Sequence, residues 1–131
     1  MKNFSAGAKR ILVVEDEPAI CEFCLRVLTS EGFEVDIAVN GKVAQDMIEE
    51  QQYDLCLIDI RLPAMTGKGL HQWLEEKHPQ LASRVIFTTG DGMGGDTQSF
   101  LEQAARPFLP KPFTPDELKT IMRGTLEEVE K

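Results

Sequence analysis

The sequence predicts an α/β fold, a doubly wound parallel sheet of five strands with helices on both faces, and three observations carry that expectation. Short apolar runs alternate five times with segments of helical period, which is the pattern of repeated βα units around a mostly parallel sheet. The third run, Leu55-Cys56-Leu57-Ile58, is apolar throughout, as a strand covered on both faces must be, and this places it centrally. The fifth, Pro107 to Lys111, holds two prolines that each remove a ladder donor, so it belongs at an edge.

Taken in order, residues 10–15 form the first strand, and Pro18 opens a helix whose inner face is Ile20, Phe23, Cys24, Val27 and Leu28. Gly32 ends that helix. Glu34 to Val39 alternates polar and apolar residues, a strand with one less-covered face. Asn40-Gly41 then turns into a helix that buries Val43, Ala44, Met47 and Ile48. Asp54 to Asp59 is the third strand. Leu70, Trp73 and Leu74 mark a third helix that Pro79 closes, and Arg84 to Thr89 is the fourth strand. A short fourth helix lies within Asp96 to Ala105, after a glycine-rich stretch. The last helix opens at Thr114-Pro115-Asp116-Glu117, an N-cap threonine, a proline at the first helical position and a glutamate three residues after the cap. Leu118, Ile121, Met122 and Val129 supply its apolar stripe.

The 131 residues suit one domain: a flexible leader over 1–8, a folded domain over 9–128 and a tail over 129–131. The 14 basic residues, set against 22 acidic ones for a net charge of -8, are scattered, and no direct nucleic-acid partner is expected. Apolar runs stop at four residues, far below the roughly 20 that span a bilayer, so no membrane segment is expected. The first ten residues lack a signal peptide's apolar block, which makes the cytoplasm the expected location. Cys21, Cys24 and Cys56 make an odd count, against a disulfide framework.

Ligands of an open parallel sheet bind beyond the carboxyl ends of its strands. There the sequence places Glu15-Asp16, Asp59, Thr89 and Lys111. Three carboxylates at one rim repel one another unless a cation neutralises them, and oxygen-only donors suit a hard ion such as Mg²⁺. With that ion present, one carboxylate can attack phosphorus while a lysine and a threonine hold the phosphoryl oxygens. Asp59, ending the central strand, is the best-placed nucleophile.

Val14-Glu15-Asp16-Glu17-Pro18, Asp59-Ile60-Arg61-Leu62-Pro63 with Gly67, Thr88-Thr89-Gly90 and Lys111-Pro112-Phe113 together resemble the receiver domain of two-component response regulators, over residues from about 9 to 128. The resemblance implies a (βα)₅ flavodoxin-like fold with strand order 2-1-3-4-5, and Mg-dependent phosphorylation of Asp59 by a histidine kinase or histidine phosphotransfer domain. It implies that Asp16 and Asp59 bind Mg²⁺, or Mn²⁺ as a substitute, through carboxylates, Arg61 through its backbone carbonyl and Glu15 through water. Thr89 and Lys111 would hold the phosphoryl group. The switch pair would be Thr89 and Phe108, the latter standing where many members have tyrosine. The switching surface would be the fourth helix, fifth strand and fifth helix, which could also form a homodimer, and Lys111-Pro112 is a candidate cis peptide. Such a chain is a signalling domain that catalyses only its own phosphorylation and dephosphorylation, either alone or within a larger protein that supplies kinase activity. Thr89-Gly90-Asp91 and Phe100-Leu101-Glu102 are similar to receivers that end hybrid histidine kinases.

Other readings compete for particular residues. Gly90 to Gly95 matches G-x-G-x-x-G, but a dinucleotide fingerprint belongs on the first βα unit with an acid ending the next strand, and here that strand ends in Lys111. Gly67-Lys68 lacks the rest of a phosphate-binding loop, since Gly69 stands where Ser or Thr is needed and Leu62 where the first glycine belongs. An aspartyl phosphatase would carry a second acid at position 61, which is arginine. Cys21 and Cys24 read as core rather than as a metal or redox pair, Trp73 as core, and His71 and His78 as solvated. Arg61 and Asp91 are expected to face each other at the mouth of the site and to modulate water attack on an aspartyl phosphate. A pseudo-receiver that binds partners without phosphorylation is the alternative function.

Overall fold

The computed structural model describes residues 8–62, 65–90 and 95–130. Its five strands are β1 (Arg10–Val14), β2 (Glu34–Ala38), β3 (Leu55–Asp59), β4 (Val85–Thr89) and β5 (Phe108–Pro110). All pair in parallel in the order β2-β1-β3-β4-β5, so β3 is central and the proline-bearing β5 is an edge. The helices are α1 (Pro18–Ser30), α2 (Gly41–Glu50), α3 (Gly67–Lys77), α4 (Pro79–Ala82), α5 (Gly95–Ala104) and α6 (Pro115–Glu130). The short α4 is an addition to the sequence expectation: Pro79 does end α3, but it also starts a further helical turn, as proline can at a first helical position.

Period-two alternation divides the core into two slabs. Leu12, Val14, Cys56, Ile58, Val85 and Phe87 face α2, α3 and α5, whereas Ile11, Val13, Leu55, Leu57, Ile86 and Leu109 face α1 and α6. Both faces of β3 are therefore buried along its whole length. Local chemistry fixes the helix starts. The Asn40 side chain accepts from the Val43 amide at 2.8 Å, and Thr114 and Glu117 cap each other reciprocally at 3.1 and 2.8 Å. Gly32, at φ +93°, ends α1 in a conformation that a side chain disfavours.

His71 corrects one expectation. It is 3% exposed rather than solvated, because it lies on the same face of α3 as Leu70 and Leu74. Its Nε2 lies 3.2 Å from the Ala82 carbonyl, and its ring meets those of Phe87 and Phe100 edge-on. His78 is half-buried between Glu49 and Trp73, and Trp73 packs on the core as expected. Among the described residues, no helix is long and apolar enough to cross a membrane. Most of the leader, Asp91 and most of the glycine-rich stretch lie outside the described residues, as does the Val129 side chain.

Candidate phosphoryl-transfer site

Glu15 follows β1 directly, and its amide donates to the Ala38 carbonyl at 2.9 Å, which continues the ladder past the strand and turns the carboxylate onto the sheet's upper rim. Asp59 closes β3 beside it and is 5% exposed. The Arg61 amide donates to Asp59 Oδ1 at 3.0 Å, which orients the carboxylate and leaves Oδ2 for other partners. Gly67 holds this turn against α3. Its amide donates to the Ile60 carbonyl at 2.9 Å, and a Cβ there would lie 2.7 Å from the Asp59 carbonyl oxygen and 2.8 Å from Ile60 Cα. Only glycine permits that approach. The Lys111 amide donates to the Thr89 carbonyl at 2.7 Å, and the Lys111–Pro112 peptide is cis.

These elements converge on the Lys111 ammonium. Its Nζ lies 3.0 Å from Glu15 Oε1, 3.1 Å from Glu17 Oε1 and 3.3 Å from Asp59 Oδ2. The three carboxylates offer oxygens within 4.8 Å of one another. Burial pushes the Glu15 carboxyl up to about 6, against the hydrogen bond from Lys111, which favours its ionised form; the charge of Asp59 pushes it further up. Burial also opposes the charge on Lys111, but its bonds to Glu15 and Glu17 and the neighbouring carboxylate charges outweigh this and raise it above the ordinary lysine range.

Glu15, Asp59 and Lys111 thus meet as expected from the sequence, with Thr89 buried on the adjoining strand end. Asp16 is exposed and lines a neighbouring cleft of about 500 Å³ with Arg61, Lys68 and Phe100. The acid that completes the converging trio is Glu17, which sequence reasoning did not select. Its signal was the unbroken run Glu15-Asp16-Glu17 before the helix-opening proline. Phe108, paired in register with Phe87, is 37% exposed on the edge strand.

The donor set fits a hard divalent cation: all oxygens, two of three acids buried, and a cation already seated among them in the form of an ammonium. Cys24 is buried, and burial pushes its thiol up to about 12; Cys21 is raised as well, its Sγ lying 3.3 Å from the Glu15 carbonyl. Neither thiol is set up as a reactive thiolate; Cys24 is core as expected, whereas Cys21 is only partly buried at the edge of the site.

A family profile described as "Response regulator receiver domain" matches residues 11–123. Response regulator Rre1 of Synechocystis is 36% identical over 117 residues, 88% of this chain and 51% of that protein. The chain spans about half the length of this and other leading curated relatives. A CheY-like receiver domain protein from Methanospirillum hungatei superposes with TM-score 0.86 at 31% identity, covering 95% of this chain and 98% of the other. The receiver domain of sensor histidine kinase PA1611 from Pseudomonas aeruginosa, solved with a magnesium ion coordinated in its active-site cleft, gives TM-score 0.80 at 29% identity over 92% of this chain and 99% of the other.

Proposed function

Because this chain belongs to the response regulator receiver domain family of two-component signalling, we propose that Asp59 accepts a phosphoryl group from a phosphohistidine on a histidine kinase or histidine phosphotransfer domain. The observation that carries this reading is the Lys111 ammonium held against Asp59 and Glu15 at the carboxyl ends of β1, β3 and β5.

Asp16, Asp59 and the Arg61 carbonyl, with Glu15 through water, are the groups that would hold Mg²⁺; the convergence of Glu15 and Asp59 and the magnesium-bound PA1611 receiver support this, and Asp16 and the Arg61 carbonyl enter by the family resemblance. The ion would neutralise charge on the transferring phosphoryl oxygens. Asp59 Oδ2 forms the new O–P bond as the donor's P–N bond breaks; the electron pair stays on the imidazole nitrogen, which is protonated from solvent. Lys111, released from Asp59, and the Thr89 hydroxyl bind the phosphoryl oxygens where negative charge gathers. Thr89, drawn toward the phosphoryl group, leaves room for Phe108 to turn inward, so the output surface is α5, β5 and α6. A homodimer through that surface is one consequence.

Incubation with acetyl phosphate and Mg²⁺, followed by intact mass, tests this. A working receiver gains one phosphoryl group, lost in Asp59→Asn. A pseudo-receiver gains none, and that result would overturn the proposal.

A further inference from the structure

Glu17 is the one member of the converging trio without a part in the chemistry above. Its side chain is 61% exposed, against 2% for Glu15 and 6% for Asp59, yet it lies 3.1 Å from the Lys111 ammonium. It stands at the N-cap of α1 but makes no side-chain capping bond, so its carboxylate is committed to Lys111 rather than to the helix. Its amide donates to Glu15 Oε2 at 3.2 Å, which ties its backbone to the buried acid and leaves the side chain at the mouth.

From this we infer that Glu17 is a positioning residue for Lys111: it draws the ammonium toward the mouth and so competes with an incoming phosphoryl group for it. The inference rests on the phosphoacceptor reading. The competition follows from geometry. Lys111 is only 10% exposed, and its ammonium is shared among three acceptors. One of them, Asp59 Oδ2, turns from acceptor into ester oxygen when phosphorylated. Glu15 keeps its contact at 3.0 Å, so the N–H freed from Asp59 turns to the phosphoryl oxygens while Glu17 draws the head group toward the mouth. An exposed partner holds a cation weakly, which makes Glu17 a brake rather than a lock. A carboxylate at the mouth also repels an anionic donor, so the test must separate repulsion from competition for Lys111.

The measurement is the rate of phosphorylation by acetyl phosphate at saturating Mg²⁺ in wild type, Glu17→Gln, Lys111→Gln and the double variant, with Mg²⁺ affinity taken separately by calorimetry. Glu17→Gln is expected to be about two- to fivefold faster than wild type, the span of a weak exposed ion pair. In the Lys111→Gln background the same change should lose at least half of that factor, and Mg²⁺ affinity should shift by less than about threefold, because the pair being broken is with the lysine. Equal factors in both backgrounds would reduce Glu17 to general repulsion, and a Mg²⁺ affinity loss above about tenfold would make it a metal ligand; either result overturns the inference. Should Lys111→Gln fail to fold by circular dichroism, Glu17→Asp takes its place. It keeps the charge and shortens the reach, so it should be faster than wild type, and a wild-type rate would refute the competition. A wild-type chain that gains no phosphoryl group removes the phosphoacceptor reading and this inference together, whereas normal phosphorylation with an unchanged Glu17→Gln rate removes the inference alone.

Discussion

Replacing Glu15 with glutamine should change how stability depends on pH, in a direction set by its burial. The Glu15 carboxyl is raised from 4.5 to about 6 because burial disfavours its charge more than Lys111 favours it. A group whose folded pKa lies above its unfolded value contributes stability that is fully present below the unfolded pKa and is lost as pH rises through the folded one. The window is therefore about pH 4.5 to 7. A shift of about 1.5 units at 1.36 kcal/mol per unit gives about 2 kcal/mol at most, and screening along the solvent side of the rim lowers it. For a chain of this length that is a melting difference of roughly 6–10 °C at the upper limit. The assay is thermal denaturation of wild type and Glu15→Gln in chelator across that window, read as the difference between the two curves. Wild type should lose stability relative to the variant as pH rises. Parallel curves, or a relative gain by wild type, would refute the claim that ionised Glu15 is a net cost in the metal-free site.

Three further outcomes follow from the same geometry. Asp59→Asn should abolish phosphoryl incorporation by intact mass while leaving the melting temperature equal or higher, since it removes a charge that raises the Glu15 carboxyl. Mg²⁺ should raise the wild-type melting temperature by mass action and do so much less in Asp16→Ala; equal shifts would remove Asp16 from the proposed metal ligands. Gly67→Ala should cost about 1–3 kcal/mol in urea denaturation, because the new methyl meets the Asp59 and Ile60 backbone, which has no flexible end to yield.

The sheet was legible in the sequence because its signals are local: an unbroken apolar run for β3, prolines for the edge strand, and a capping box whose two bonds the structure reproduces. The strand-end rule also brought Glu15, Asp59 and Lys111 together correctly, since parallel strands deliver their last residues to one rim. Side-chain direction was less legible. Asp16 and Glu17 are neighbours beyond a strand end, where no periodicity governs, and only the fold shows that Glu17 reaches Lys111. His71 was misplaced for a related reason: a histidine beside Leu70 reads as polar, yet the core there accepts it through the Ala82 carbonyl and two aromatic edges.

The same alternation that divides the core places both members of the proposed switch pair on one face of the sheet. Phe87 packs in the slab beneath α2, α3 and α5, and period two puts Thr89 on that face one step nearer the rim. Register pairs Phe87 with Phe108 and Thr89 with Pro110, so Phe108 lies on this face too. In the proposed switch, a displacement of Thr89 toward Asp59 would act on the face that carries Phe108, opposite the slab of Ile86 and Leu109. Phe87 is also in edge contact with Phe100 of α5, at 5.1 Å between ring centres. Helix α5 thus rests on the strand that carries Thr89, whereas α1 and α6 rest on the slab of Ile11, Val13, Leu55, Leu57, Ile86 and Leu109. Under the proposed phosphorylation, a population shift would begin on the α5 face of β4 and β5 and would reach α6 only through β5, whose Leu109 packs in the slab that α6 shares with α1.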